Sequence, residues 1–141
     1  MRMSRASAYA IGAVLHLADA PPEVPVPCSR IAKAGEMPER FLLQVLRNLV
    51  NHGILRSTRG VEGGYSLLRP ISEITLLHIM EATDGPLIPT VPPLDNFSEY
   101  SVSRLQGILR DINSEVCKKL ANVKLAELIA PETLSGVGAG N

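Results

Sequence analysis

The sequence contains no tryptophan, only two cysteines and no long apolar run. No apolar stretch reaches the roughly 18 residues that a membrane-spanning helix needs, and the first twenty residues lack the apolar core of a signal peptide. We therefore expect a soluble, cytoplasmic protein without a membrane partner. Cys28 and Cys117 lie far apart and have no spacing typical of zinc ligands, so the sequence predicts no disulfide framework, no metal site and no cofactor.

A combination of nucleophile, general base and orienting group is also lacking, so an enzyme is not predicted. His16, His52 and His78 are scattered over separate predicted elements and are more typical of packing or surface residues than of ligands. A nucleotide phosphate loop is disfavoured as well, because the glycines of residues 60–64 precede a β-type segment and no Gly-Lys-Ser/Thr follows them.

The net charge is zero, with 14 basic and 14 acidic residues, but the charges are unevenly distributed. Residues 30–69 carry seven basic and three acidic residues, for a net charge of +4. Residues 70–141 carry five basic and nine acidic residues, for a net charge of −4. A basic segment beside an acidic one is expected when one region meets phosphates and the other has a different role.

Apolar spacing and capping residues predict a mostly helical chain with a small β-hairpin. Helices are predicted at 4–19, 30–34, 38–51 and 76–83, a hairpin at 54–57 and 64–68, a long helix containing 102–116, and a last short helix at 124–129. Ser29 and Thr75 are expected to cap the second and fourth helices. The predicted organisation is a winged helix-turn-helix domain at 1–85, an irregular linker at 86–100, a dimerisation helix region at 101–130 and a disordered tail at 131–141.

The third predicted helix has two different faces. One carries an apolar stripe, formed by Leu42, Val45, Leu46 and Leu49, whereas the other repeats polar side chains at helical spacing, namely Arg40, Gln44, Arg47 and Asn51. In a DNA major groove, Arg reads guanine and Gln or Asn reads adenine. Arg40 and Gln44 are therefore the candidate base readers. The alternative interpretation, a solvated helix face, is weakened by the hairpin that follows.

The segment LRSTRGVEGGYSLLR, residues 55–69, combines arginines, hydroxyls and glycines within the predicted hairpin. Its glycines permit positive φ and close backbone approach, which would let a thin loop carry Arg59 toward a minor groove. Ser57 and Thr58 can donate hydrogen bonds to phosphate oxygens, and Arg56 and Arg69 add sequence-independent attraction. This segment is interpreted as a DNA-binding wing.

Apolar residues in the long helix recur in alternating steps of three and four, as in a short coiled-coil seam. The seam consists of Val102, Leu105, Leu109, Ile112 and Val116. Cys117 lies beside it and is expected to pack in a dimer, with a thiol pair across the dimer as the alternative. Cys28 is the candidate redox residue, because a helix N-terminus can lower a thiol pKa, although a small packing residue is the commoner role.

Taken together, these segments resemble those of the Rrf-type bacterial transcription regulators, the family that includes IscR, NsrR and CymR. The resemblance rests on YAIGAVLHLA, FLLQVLRNLVNHGILRSTRGVEGGYSLLRP, ITLLHIMEATDG and LANVKLAELI, of which RSTRGVEGGY is the most specific. It implies a homodimer in which the long C-terminal helix crosses between subunits. It also implies that Arg40, Phe41 and Gln44 lie in the DNA-reading helix and that Arg59 is the minor-groove arginine.

Family members that carry an iron–sulfur cluster have three cysteines in the loop before the long helix. This chain has none there, and Ser103 stands where the last of them would be. Serine is a poor substitute for a thiolate ligand, so no cluster of the family type is expected.

The sequence thus predicts a homodimeric transcription regulator, a repressor, that binds double-stranded DNA at an inverted repeat. The predicted DNA contacts are Arg30, Arg40, Phe41, Gln44, Arg47, Arg56, Ser57, Thr58, Arg59 and Gly60. Three alternatives stay open: a dimeric protein-interaction module that does not read DNA, a thiol-based redox sensor, and a regulator with an effector bound between the long helix and the DNA-binding domain.

Overall fold

A computed structural model describes residues 1–131. Beyond Pro131, the predicted disordered tail lies outside the described residues. The described chain contains five α-helices and one two-stranded antiparallel sheet, which confirms the mostly helical winged helix-turn-helix fold. The elements are α1 Arg5–Asp19, α2 Cys28–Ala34, α3 Glu39–Asn51, β1 Leu55–Thr58, β2 Gly64–Leu67, α4 Leu76–Asp84 and α5 Glu99–Asn122, with 3-10 turns at Ile71–Glu73 and Leu125–Leu128.

The core lies between α1, α3 and α4, with α2 and β1 packed against α3. The four apolar residues predicted for one face of α3 are all buried, namely Leu42, Val45, Leu46 and Leu49. Each buried side chain of this size contributes about 1.5–3 kcal/mol relative to an exposed one. Burial of one face therefore fixes which face α3 leaves exposed.

The hairpin is attached to the segment that precedes α2. Val26 and Tyr65 exchange two backbone hydrogen bonds, each 2.9 Å long, so Val26 extends the edge of β2. Gly64 has a φ of 152° and lies so close to the Val26 backbone that a Cβ atom would collide with it. This close approach requires glycine, and it fixes the hairpin relative to the helix-turn-helix.

The predicted cap of α2 is wrong. The helix begins at Cys28 with Pro27 at its N-cap position, and no side chain caps it. Because the bridge to Tyr65 holds Val26 extended, the chain turns into the helix directly after Pro27 and leaves Ser29 in the first turn. The prediction for α4 is confirmed, since the Thr75 hydroxyl accepts the His78 backbone N–H at 3.1 Å.

The start of α4 also holds the end of α5. The Leu76 N–H donates to the Val123 carbonyl at 2.9 Å, and the Leu125 N–H donates to the Ile74 carbonyl at 2.8 Å. At the other side of the bundle, the Ser4 hydroxyl lies 2.7 and 2.8 Å from the two carboxylate oxygens of Asp84. The first turn of α1 is therefore fastened to the last turn of α4.

Helix α5 is long but little covered. It spans 24 residues, and Leu120 is its single buried residue. The linker that precedes it, residues 85–98, has no regular secondary structure. The Asn113 amide donates to the Leu87 carbonyl at 2.6 Å and so holds the linker against α5. In the described part of the chain, no helix is both long and apolar enough to cross a membrane.

Candidate nucleic-acid interface

The exposed side of α3, here called the basic face, consists of Arg40, Gln44, Arg47 and Asn51. Within residues 1–131 the single ion pair joins Lys118 to Glu115 at 3.3 Å, so neither arginine of this face has a carboxylate partner. The Gln44 amide donates to the Asn48 side chain at 3.2 Å. The basic face therefore presents to solvent two guanidinium groups whose charge no carboxylate neutralises, together with side-chain amides.

Phe41 lies beside the basic face but is partly engaged with α1. Its ring meets that of Tyr9 edge to face, with centroids 5.5 Å apart and an interplanar angle of 75°. The side chain remains 41% exposed. The contact joins the N-terminal half of α3 to α1 and leaves the Phe41 side chain partly open to solvent. On α2, Arg30 is exposed as well.

Residues 59–62, at the tip of the hairpin, are exposed to solvent. The Gly63 N–H donates to the Gly60 carbonyl at 3.0 Å, which closes a tight turn in which Gly60 has a φ of 111°. Five predicted contacts are exposed along this arm, namely Arg56, Ser57, Thr58, Arg59 and Gly60. Arg69, the other arginine expected to attract phosphates, is half-buried and donates to the Glu73 carbonyl at 3.2 Å.

The basic face and the hairpin meet in a small cleft, here called the notch. Its volume is about 170 Å³, and it is lined by Arg47, Val50, Asn51, Ser57 and Tyr65. Two elements that are separate in sequence thus share one continuous surface, on which the helix face passes directly into the arm of the hairpin. Sequence periodicity placed Arg47 and Ser57 on their own elements but could not place them side by side.

Cys28, the first residue of α2, is half-buried. Burial raises the pKa of its thiol, and the nearby Glu39 carboxylate raises it further. The sulfur lies 3.8 Å from the Glu39 carbonyl oxygen, to which the thiol donates. Since the thiolate is the reactive form, this environment opposes the reactivity that a redox role requires.

Three apolar side chains of α5, here called the apolar face, lie open to solvent. Leu105, Ile108 and Ile112 are 38, 40 and 55% exposed, and their spacing of three and four residues puts them on one side of the helix. The other seam residues, Val102, Leu109 and Val116, are half-buried, as is Cys117. Ile108 was not among the predicted seam residues, although it lies three residues after Leu105 and so fits the helical spacing.

One cleft beside α5 lies between this helix and the linker, and no residue of α1 to α4 lines it. It measures about 230 Å³ and is lined by residues that include Pro89, Gln106 and Arg110. This volume is below the roughly 300 Å³ at which sites for drug-sized ligands begin.

Comparison with known proteins identifies similar chains over most of this length. The family model Rrf2, described as an iron-dependent transcriptional regulator, matches residues 3–131. A helix-turn-helix transcriptional regulator of Mycobacterium tuberculosis is 41% identical over 87 residues, which are 62% of this chain and 54% of that protein. The matched stretch is thus about half the length of that relative. The regulator IscR of Sodalis glossinidius is 28% identical over 138 residues, covering 97% of this chain and 84% of the relative.

Solved structures show the same architecture. CymR of B. subtilis, described as its global cysteine regulator, superposes with a TM-score of 0.69 at 26% identity and covers 91% of this chain and 95% of its own. IscR of T. potens superposes with a TM-score of 0.66 at 25% identity, covering 92% and 86%.

The description of the family model refers to iron, but the residues of this chain do not fit an iron–sulfur cluster of the cysteine-ligated type. Such a cluster needs several thiolates, and the whole sequence has two cysteines, of which Cys28 is on α2 and Cys117 on α5. Within the described residues, no group of three His, Cys, Asp or Glu side chains could hold a metal ion. The linker of this chain also contains no cysteine.

Proposed function

The chain belongs to the Rrf2 family of transcriptional regulators, and from this premise we propose that it binds double-stranded DNA as a homodimer and represses transcription at an inverted repeat. The family consists of regulators, not enzymes. On this proposal, the protein binds DNA in the cytoplasm of a bacterial cell.

One observation carries the proposal: the basic face of α3 and the exposed hairpin form one surface whose arginines have no carboxylate partner among the described residues. Uncompensated cations on one surface are the electrostatic footprint expected for a polyanion. Duplex DNA also matches the shape, because a helix fits its major groove and a narrow arm fits the minor groove next to it.

Base reading is assigned to the N-terminal half of α3 and to the wing. Arg40 can donate two hydrogen bonds to guanine, and Gln44 can pair with adenine. Arg59, directly after β1, enters the minor groove, where its charge is favoured most when the groove is narrow. Arg30, Arg56, Ser57 and Thr58 contact phosphates, which set the register without reading sequence.

Dimerisation is assigned to α5. The described residues leave the apolar face of Leu105, Ile108 and Ile112 exposed, and a second α5 supplies a matching surface through twofold symmetry. Two symmetry-related reading surfaces require an inverted repeat in the DNA. A dimer bound across two half-sites excludes polymerase from a promoter, so repression needs no additional surface.

The test is selection of bound duplexes from random DNA, followed by affinity measurements at several salt concentrations. We expect an enriched inverted repeat, a steep loss of affinity with salt, and weaker binding by Arg59→Ala. Arg110→Ala, at an exposed position on the side of α5 opposite the apolar face, is the matched control and should bind as the wild type does. A dimer that enriches no sequence even at low salt would contradict the proposal and favour a protein-interaction module.

A further inference from the structure

The notch between α3 and the hairpin has a lining that suits an anion. Four of its five residues carry side-chain hydrogen-bond donors, namely Arg47, Asn51, Ser57 and Tyr65. The fifth, Val50, is apolar, and no carboxylate is among the lining residues. The Arg47 guanidinium has no ion-pair partner within residues 1–131. An oxyanion bound here would meet one fixed cation and up to three neutral donors.

The geometry of duplex DNA specifies which anion reaches this place. A major groove and the minor groove next to it are separated by one sugar-phosphate backbone. A protein that puts a helix in the first and a loop in the second must therefore meet that backbone between the two elements. The notch lies between α3 and the arm of the wing.

We propose that the notch binds one backbone phosphate of the DNA strand that separates the two grooves, and that Tyr65 and Asn51 are phosphate-binding residues together with Arg47 and Ser57. This inference rests on the proposed function and adds a site to it. Tyr65 was not among the residues that the sequence indicated, because its role depends on where β2 lies relative to α3.

Two features of Tyr65 suit it to this role. Its backbone is held by both hydrogen bonds to Val26, so the point from which its side chain extends is fixed. Burial raises the pKa of its phenol, as does Cys28, whereas Arg47 lowers it. The net direction is upward, so the hydroxyl stays protonated at neutral pH and can donate to a phosphate oxygen.

Bound in this way, the phosphate would connect the reading helix to the wing. Arg47 and Asn51 come from α3, Ser57 comes from β1 and Tyr65 from β2. A single phosphate contacted from three elements fixes the angle at which the wing enters the minor groove relative to α3. The contact carries no base information of its own but sets the register of the residues that do.

The experiment is a methylphosphonate scan of a duplex selected by the wild-type dimer. Each substitution replaces one charged phosphate by a neutral one, and affinity is measured for every position. We expect one sensitive phosphate per half-site, located between the two grooves, at which neutralisation costs about tenfold in affinity. In Arg47→Ala this penalty should disappear while the penalties at other phosphates persist, and in Tyr65→Phe it should shrink.

Arg110→Ala and Tyr100→Phe are the matched controls, because both residues are exposed on α5, and they should keep the wild-type profile. An unchanged profile in Arg47→Ala and Tyr65→Phe would overturn the proposal that the notch binds a phosphate, while leaving the proposed function intact. Failure of the wild type to select any duplex would instead overturn the proposed function, and the notch with it.

A second arm separates DNA from a free anion. Inorganic phosphate is titrated into the dimer while the ring signals of Tyr65 are followed by NMR. We expect no saturable shift below millimolar phosphate, because one anion alone lacks the neighbouring contacts of a strand. Tight binding of inorganic phosphate without a position-specific methylphosphonate penalty would assign the notch to a small-molecule anion and contradict the proposal.

Discussion

The basic segment 30–69 and helix α5 both expose side chains that have no partner among residues 1–131, but the two sets are of opposite chemical kinds. Around α3 the framework is rigid, since one face is wholly buried, and the exposed groups are arginines and amides. Along α5 one residue of 24 is buried, and the exposed groups include three aliphatic side chains. A polyanion complements the first surface and an apolar surface complements the second, so the two regions call for different partners.

The largest effect is expected from a charge on the apolar face of α5. Ile112→Glu would bury a carboxylate without a partner in the dimer, which costs about 3–5 kcal/mol. We expect a monomer by light scattering and loss of operator binding, with the protomer still folded because Ile112 is exposed in it. Ser114→Glu, on the opposite side of the helix, is the control, and a dimeric Ile112→Glu would show that another surface dimerises.

A somewhat smaller effect is expected at the joint between the hairpin and the rigid framework. Gly64→Ala adds backbone strain of about 1–3 kcal/mol at a positive φ, and its Cβ would also collide with the Val26 backbone. Gly60→Ala meets similar strain at a φ of 111° but has nothing within 4 Å. Urea unfolding should show the larger loss for Gly64→Ala. Equal losses would mean that contact with Val26 does not hold the wing.

Arg40→Ala tests whether the basic face acts on DNA without supporting the fold. Since Arg40 is exposed and unpaired within the described residues, we expect unchanged unfolding but weaker operator binding by about 1–3 kcal/mol, with relaxed selectivity at one base pair. Equilibrium binding to single-base operator variants measures both quantities. A uniform loss over all sequences would reassign Arg40 to a phosphate.

A smaller effect is expected where the two regions meet, at the start of α4. The His78 ring nitrogen Nδ1 accepts the Thr75 backbone N–H at 3.1 Å. Burial lowers the pKa of His78, and Arg69 and Lys124 lower it further against an opposing effect of Glu81. The stability contributed by neutral His78 is therefore complete above the unfolded pKa of about 6.5 and is lost as the pH falls from there through the folded pKa.

The measurement is the free energy of unfolding between pH 7.5 and 5, in which the contribution of this group should be about that of a helix cap, 1 kcal/mol or less. His78→Gln is the control, because glutamine at this position can accept the same hydrogen bond without titrating. An identical pH dependence in His78→Gln would show that other groups cause it.

Modification of Cys28 is not expected to affect DNA binding, and its thiol is expected to react slowly. In a Cys117→Ser background, alkylation of Cys28 by iodoacetamide should be slower in the folded protein than in urea, because the raised thiol pKa leaves less thiolate. Faster alkylation in the folded state would revive a redox role.

Sequence patterns predicted the features that depend on a single helix or strand and missed those that depend on contact between two elements. The buried stripe of α3 follows from helical spacing alone, and the cap at Thr75 follows from its neighbours. The start of α2 could not be predicted in this way, because it depends on the bridge between Val26 and Tyr65, which lie 39 positions apart in sequence. The basic face could likewise be predicted from helical spacing alone. The notch could not, because it depends on how the hairpin packs against α3.

The hydrogen bonds between Ser4 and Asp84 span 80 residues, and they have a practical consequence for anyone preparing this protein. Removing the first four residues would take away the N-cap of α1 and, with it, the hydroxyl that meets the Asp84 carboxylate just before the linker begins. A trimmed N-terminus would thus loosen the chain at two distant places at once, so an affinity tag belongs upstream of an intact Met1 or at the other end.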